Sequence, residues 1–242
     1  MICGRRPWSV SVPDYRLLVF DWDGTLVDSI SRIVESLRVA AETCGLSQLD
    51  ESALKGIIGL GLPEAIRVLY PELVDPSSVE RYRAAYGAHY NRLEVQPSAL
   101  FPGVLEALEG FRNEGYLLAV ATGKSRRGLD HVLAGRGWLD YFDITRCADE
   151  TASKPDPRML HEILAHCGVE AGRALMVGDS PFDLQMAHRA GMDSVAVGYG
   201  AQSLDTLRRE SPKLAVECFD ELRHWLAGGA NTHSMKVDLH VG

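Results

Sequence analysis

Two carboxylates, Asp21 and Asp23, flank Trp22 directly after the apolar run Leu17-Leu18-Val19-Phe20, and the chain then turns through Gly24. A strand sends alternate side chains to opposite faces. An unpaired carboxylate is costly to bury, so an acid pair at the end of a buried strand calls for a cation or a set of donors. A divalent metal meets that need most simply. Three further segments carry matching chemistry. Ala121 leads into Thr122-Gly123-Lys124-Ser125, where Thr122 offers a hydroxyl and Gly123 lets the backbone approach an anion closely. Lys154 immediately precedes Pro155-Asp156-Pro157, a rigid entrance to a helix. Val177-Gly178 runs into Asp179, with Asp183 shortly after it.

Each segment alone has an ordinary reading. An acidic turn closes many strands, and a loop lysine such as Lys154 is usually a solvated charge. Ser180 and Asp183 have the spacing of a capping box, in which the acid supports a helix amino terminus. The letters Gly123-Lys124-Ser125 match the end of a phosphate-binding loop, but the place of its first glycine holds Leu118, which excludes that motif. The combination is what carries meaning. Asp21 and Asp179, with a backbone carbonyl, supply hard oxygen ligands suited to Mg²⁺, and Thr122 with Lys154 completes a clamp for an anion. That is an inventory for phosphoryl transfer, where positioning and charge stabilisation provide most of the catalysis.

Something must hold these segments together. Apolar runs at 17–20, 117–121, 174–177 and 194–197 alternate with helical patterns, which predicts an α/β fold with a doubly wound, mostly parallel sheet. In such sheets ligands sit beyond the carboxyl ends of the strands. Asp156 and Pro157 read as N-cap and first residue of a helix whose apolar face is Met159, Leu160, Ile163, Leu164 and Cys167, ending at Gly168. Ser180 with Pro181 opens another that closes at Gly191. Residues 29–96 contain helical patterns and no buried strand, the sign of an inserted small α-helical cap domain. The expected organisation is a catalytic core of 14–28 and 97–226, a cap of 29–96, and terminal extensions of 1–13 and 227–242. Segments 27–29 and 95–99 are expected to be entry strands acting as hinges.

Within the cap, Asp28 or Ser29 should cap a helix that buries Ile30, Ile33, Val34, Leu37 and Ala41 and ends at Gly45. A last helix over 78–93 carries Tyr82, Tyr86 and Tyr90 at four-residue spacing, which reads as a packing face. The glycine-rich stretch 55–63 is either an interhelical turn or a loop facing the substrate, and Lys55 and Arg67 are its available cations. Trp22 reads as a core residue.

The 242 residues, 46% hydrophobic and 24% charged, suffice for a sizeable core. A net charge of −8 and the lack of a dense basic tract argue against nucleic-acid binding. Cys3, Cys44, Cys147, Cys167 and Cys218 show no Cys-x-x-Cys spacing, so neither a zinc site nor a disulfide framework is expected. No apolar run approaches the ~20 residues of a membrane span, and no signal peptide is evident. The expectation is a cytoplasmic protein with reduced thiols.

With these four motifs in this order and spacing, residues 15–226 resemble the haloacid dehalogenase superfamily, in particular its helical-capped phosphatases of the phosphoglycolate phosphatase-like group. The resemblance implies a Rossmann-like core in which Asp21 is the nucleophile that forms an aspartyl-phosphate. Asp23 is then the general acid and base, and ligates Mg²⁺ through its backbone carbonyl. Thr122 and the Gly123 amide hold the phosphoryl group, Lys154 balances charge, and Asp179 binds the metal with Asp183 supporting it. An acid at Asp23 separates phosphatases and mutases from transport ATPases, which carry threonine there. Many capped relatives carry asparagine where Gly123 stands, so one substrate contact is missing. The implied activity is Mg²⁺-dependent hydrolysis of a small phosphorylated metabolite, phosphoglycolate-like or a sugar phosphate. The alternatives are β-phosphoglucomutase-like transfer, a lysine Schiff-base reaction through Lys55, or a non-catalytic phospholigand-binding protein.

Overall fold

In the computed structural model, which describes residues 13–237, six short strands carry the core: β1 (Leu17–Phe20), β2 (Leu117–Thr122), β3 (Ile144–Cys147), β4 (Ala174–Gly178), β5 (Asp193–Val197) and β6 (Leu214–Val216). They form one sheet in the order β3-β2-β1-β4-β5-β6, parallel at every pairing. The chain leaves β1 toward β2 on one side and returns to β4 on the other, which makes the carboxyl end of β1 the switch point where such sheets bind ligands. Phe20 is in register with Val120 and with Val177, so Asp21 emerges beside the ends of β2 and β4.

Strands β3 and β6 were not anticipated from the sequence. Both lie at the sheet edges, where only one neighbour must be satisfied; β3 buries only its end residues, and β6 is three residues long. Neither needs the long apolar run that betrays a central strand.

The first four helices after β1 are α1 (Ile30–Cys44), α2 (Glu51–Gly56), α3 (Leu62–Leu69) and α4 (Pro76–Leu93). They pack around an apolar cluster of their own that includes Ile33, Leu37, Leu54, Ile66 and Tyr82. Gly45 ends α1 in the left-handed region at φ 69°. Helix α4 starts earlier than its tyrosine pattern suggests, because Asp75 caps it by accepting from the Ser78 N–H. The expected hinge strands at 27–29 and 95–99 are absent. The two crossings are instead tied by a bridge between Val27 and Leu100 and by the Asp28 N–H donating to the Ala99 carbonyl at 2.9 Å. Two segments with no further partner strands gain too few ladder bonds to extend as β-structure.

The remaining helices are α5 (Val104–Asn113), α6 (Arg126–Ala134), α7 (Arg158–Cys167), α8 (Pro181–Arg189), α9 (Leu204–Leu207) and α10 (Phe219–Val237). The two-residue period of β1 sorts them onto two faces. Leu18 and Phe20 join Phe111 of α5 and Phe219, Leu222 and Trp225 of α10. Leu17 and Val19 join Met159 and Ile163 of α7 and Met186 of α8. Trp22 sits in the first cluster, 1% exposed and edge-on to Trp138. The N-cap of α7 is Pro157, one residue later than expected, because Asp156 reaches forward to accept from the Arg158 N–H at 2.9 Å. The backbone of α10 continues to Val237, so 227–237 is helical, against the expected irregular extension; the buried Phe219, Leu222, Trp225 and Leu226 anchor its first turns. Residues 1–12, with Cys3, and 238–242 lie outside the described residues. Among the described residues, Cys44, Cys147, Cys167 and Cys218 form no disulfide with one another. No helix among the described residues is long and apolar enough to cross a membrane.

Candidate active site

Asp21, Asp179 and Asp183 converge at the switch point, each offering a carboxylate oxygen within 4.8 Å of the others. All three are at most 1% exposed. Lys154, also buried, places its Nζ 2.7 Å from Asp21 Oδ1 and 2.7 Å from Asp183 Oδ1. Asp21 Oδ1 also accepts from the Trp22 N–H at 2.7 Å, while Asp21 Oδ2 is buried with no hydrogen-bond partner. Asp179 accepts from the Thr25 hydroxyl at 3.2 Å and the Ala201 N–H at 2.6 Å. Three acids therefore face one ammonium, and the deficit of positive charge is what a divalent cation fills. The donor set is all hard oxygen, and it fits Mg²⁺.

The electrostatics say the same. Burial pushes the Asp21 carboxyl well above the usual range, Asp183 and Asp179 push it further, and Lys154 opposes them. Burial, then the charge of Asp183, pushes Asp179 up to about 7. Burial alone would lower the Lys154 ammonium, but Asp183 and Asp21 outweigh it and raise its pKa.

The local sequence explains the placement. Gly24 turns at φ +77°, and a Cβ there would lie 2.1 Å from Asp179 Oδ2, so only glycine lets the β1 turn pass the acid. Asp183 serves two roles: its Oδ2 accepts from the Ser180 N–H and hydroxyl at the start of α8, as the capping spacing indicated, and its Oδ1 holds Lys154.

Asp23 points elsewhere. Its Oδ1 accepts from the Ser29 hydroxyl at 2.6 Å, and its Oδ2 lies 3.1 Å from Lys124 Nζ. Its carboxylate is outside the acid trio, which leaves only its backbone carbonyl for the ligand role the resemblance implies. Lys124 Nζ also donates to the Tyr90 hydroxyl at 3.0 Å and sits 4.3 Å from that ring's centroid. Thr122 is buried at the end of β2, its Oγ1 accepting from the Lys124 N–H at 3.2 Å. At Gly123 a Cβ would lie 2.5 Å from the Leu60 carbonyl oxygen and 2.7 Å from that of Gly59. The cap loop rests there on the core, and the Gly61 N–H donates to Ser153 Oγ at 2.8 Å beside it.

A cavity of about 1390 Å³ lies between cap and core, lined by Asp21, Asp23, Gly123 and Lys124 from below and by residues 57–65 from above. Lys55 is not on its wall; it pairs with Glu51 at 2.8 Å, and its carbonyl accepts from Gln202. The Schiff-base alternative therefore loses its lysine. The packing reading of the tyrosine row holds: Tyr82 and Tyr90 are buried in the cap cluster with Tyr86 against it, and Tyr82 donates to the Leu37 carbonyl; Tyr86 and Tyr90 also line the cavity. Helical spacing says which residues share a face, not what that face meets. Ser29, Thr25 and Lys124 were also missed. Lys124 is adjacent to a motif residue, but only the fold shows that it meets Asp23.

The family model for haloacid dehalogenase-like hydrolases matches residues 18–197. A protein of Dickeya dadantii described as "Probable phosphatase IndB" is 35% identical over 211 residues, covering 85% of this chain and 91% of that one. Phosphoglycolate phosphatase of Mesorhizobium japonicum is 33% identical over 215 residues, covering 87% and 94%. The crystal structure of a predicted phosphoglycolate phosphatase from Haemophilus somnus superposes with a TM-score of 0.76 at 25% identity, covering 88% of this chain and 98% of that one. The buried acid trio, the parallel sheet that gathers it and these relationships converge: the chain belongs to the haloacid dehalogenase-like hydrolases and is a phosphatase of that family.

Proposed function

We propose that this protein hydrolyses a small-molecule phosphate monoester through an aspartyl-phosphate on Asp21. The observation that carries the reading is the asymmetry of that carboxylate: Oδ1 is held by Lys154 and the Trp22 N–H, while Oδ2 is buried and unpartnered. A held carboxylate with one free oxygen, ionised once a cation offsets the neighbouring acids, is an oriented nucleophile. Asp21, Asp179 and the Asp23 carbonyl would hold Mg²⁺, with Asp183 supporting, and the ion would neutralise charge on the phosphate and the acids.

Asp21 Oδ2 attacks phosphorus as the bond to the alcohol oxygen breaks, and Asp23 gives that oxygen a proton. Asp23 then takes a proton from water, which attacks the acyl phosphate and releases inorganic phosphate while restoring Asp21. Lys154 favours the ionised form of Asp21 and aims it, and the Thr122 hydroxyl and Gly123 amide hold the transferring group. Ser29 and Lys124 fix the orientation of Asp23. The cap covers the site and excludes bulk water during transfer.

The Mesorhizobium relative's name makes 2-phosphoglycolate the first ester to try. Incubation with a panel of phosphorylated metabolites and Mg²⁺ should release inorganic phosphate and free alcohol in equal amounts, with loss on chelation and recovery on adding Mg²⁺. Isomerised sugar phosphate without free phosphate would make it a mutase. Turnover of none of them would leave only binding.

A further inference from the structure

The wall above the acids is aromatic and aliphatic where it is buried. Tyr86 and Tyr90 of α4 stack with centroids 5.9 Å apart and planes 19° from parallel, and both line the cavity that holds Asp21 and Asp23. Tyr90 is engaged by Lys124 through its hydroxyl and its face. Tyr86 is half-buried, with its ring partly covered by Tyr90 and the cap cluster, and its hydroxyl makes no hydrogen bond among the described residues, so the part of the ring that lines the cavity and its polar tip are open to a ligand. Leu37, Ile57 and Ile58, all buried, continue that wall.

The cations are distributed in the opposite way. Lys124, the least exposed cation of the lining, is already matched by Asp23 at 3.1 Å. Arg67 and Arg83 have side chains 69% and 43% exposed and pair with Glu64 and Glu80, while Arg127, exposed and without an ion pair among the described residues, is the one free arginine of the lining. At the Gly123 turn the nearest cap atoms are the carbonyl oxygens of Gly59 and Leu60. Those are acceptors, whereas a substrate carboxylate needs donors or a free cation.

We propose that the alcohol portion of the substrate carries a planar, uncharged ring that packs on Tyr86, and that two-carbon phospho-acids are poor substrates; this rests on the phosphatase reading above. The ester is cleaved at its P–O bond, with water supplying the oxygen of phosphate and the proton of the ring-bearing alcohol passing through Asp23.

Benzyl phosphate and 2-phosphoglycolate both release a primary alcohol, so comparing them isolates recognition from leaving-group chemistry. With Mg²⁺, kcat/KM for benzyl phosphate should exceed that for 2-phosphoglycolate by about tenfold, the scale of one good aromatic contact. Tyr86→Ala should bring that ratio toward one, and Tyr86→Phe should keep it. A wild-type preference for 2-phosphoglycolate, or a ratio that Tyr86→Ala leaves unchanged, overturns the ring preference alone. Failure to release phosphate from either ester and from acetyl phosphate overturns the phosphatase reading beneath it.

Discussion

Lys154 Nζ stands 2.7 Å from Asp21 Oδ1, and both side chains are shut off from solvent. The contact takes one oxygen of the acid and leaves the other free. The lysine is held in turn by Asp183, so a helix-capping acid indirectly aims the proposed nucleophile.

Lys154→Ala should therefore damage both activity and stability. Removing one partner of a buried ion pair costs about 3–5 kcal/mol, and here it strands two carboxylates. Urea unfolding should show a loss of that order in the metal-free protein, and turnover should fall by at least about 100-fold, the scale of losing one aimed charge in a catalytic site. Near-normal turnover would remove Lys154 from the mechanism.

Asp21→Asn should abolish turnover, by about 10³-fold or more for loss of a nucleophile, while the protein stays folded. The substitution removes one charge from a cluster of three acids and one lysine, so the metal-free melting temperature should not fall. Mass spectrometry after an acid quench should find the phosphoryl group on wild-type Asp21 and none on the variant. Wild-type phosphate turnover in the variant would exclude this nucleophile.

Proton and metal should compete for the trio. Asp179 rises from 3.8 to about 7, so between those values the metal-free native state holds a proton that the unfolded chain has released. Stability falls as pH rises wherever the native state binds more protons. The metal-free protein should thus lose stability from about pH 4 to about pH 7, the span set by Asp179, with Asp21 acting in the same direction. Mg²⁺ binds the ionised acids, so the gain in Tm on adding it should be larger at pH 8 than at pH 5. An equal gain at both would contradict the assignment of the site to these carboxylates.

Gly123→Ala tests the seat of the cap loop. The new Cβ would meet backbone oxygens of Leu60 and Gly59 at 2.5 and 2.7 Å, and backbone cannot rotate aside as a side chain can. Overpacking of this kind costs about 1–3 kcal/mol, so the loop should lift and the Gly61 contact to Ser153 should break. Faster hydrogen exchange at the Gly61 amide and a roughly tenfold lower kcat/KM, the kinetic equivalent of about 1.4 kcal/mol, are expected. Unchanged exchange would show that the contact does not hold the cap.

The central strands were legible because β1 and β4 are covered on both faces and must be apolar throughout. Edge strands escape that rule, and β3, with Thr145 and Arg146 at its centre, does not look like a strand in isolation. Helix boundaries marked by short-range chemistry came through at Gly45, Gly168 and Ser180, and slipped by a residue at Asp156, where the acid bonds forward to Arg158.

The chain's local order was enough to nominate Asp21, Asp23, Thr122, Lys154 and Asp179, because each stands at the end of an apolar run or at a helix entrance and spacing along a chain is a one-dimensional property. Which oxygen of Asp21 stays free, that Ser29 and Lys124 rather than the trio take the Asp23 carboxylate, and that Tyr86 faces the cavity while Tyr82 faces the cap core were settled only in three dimensions. Those outcomes depend on side chains up to 162 positions apart, as Asp21 and Asp183 are, meeting in one dry space, and burial makes each of them find its partner or go without.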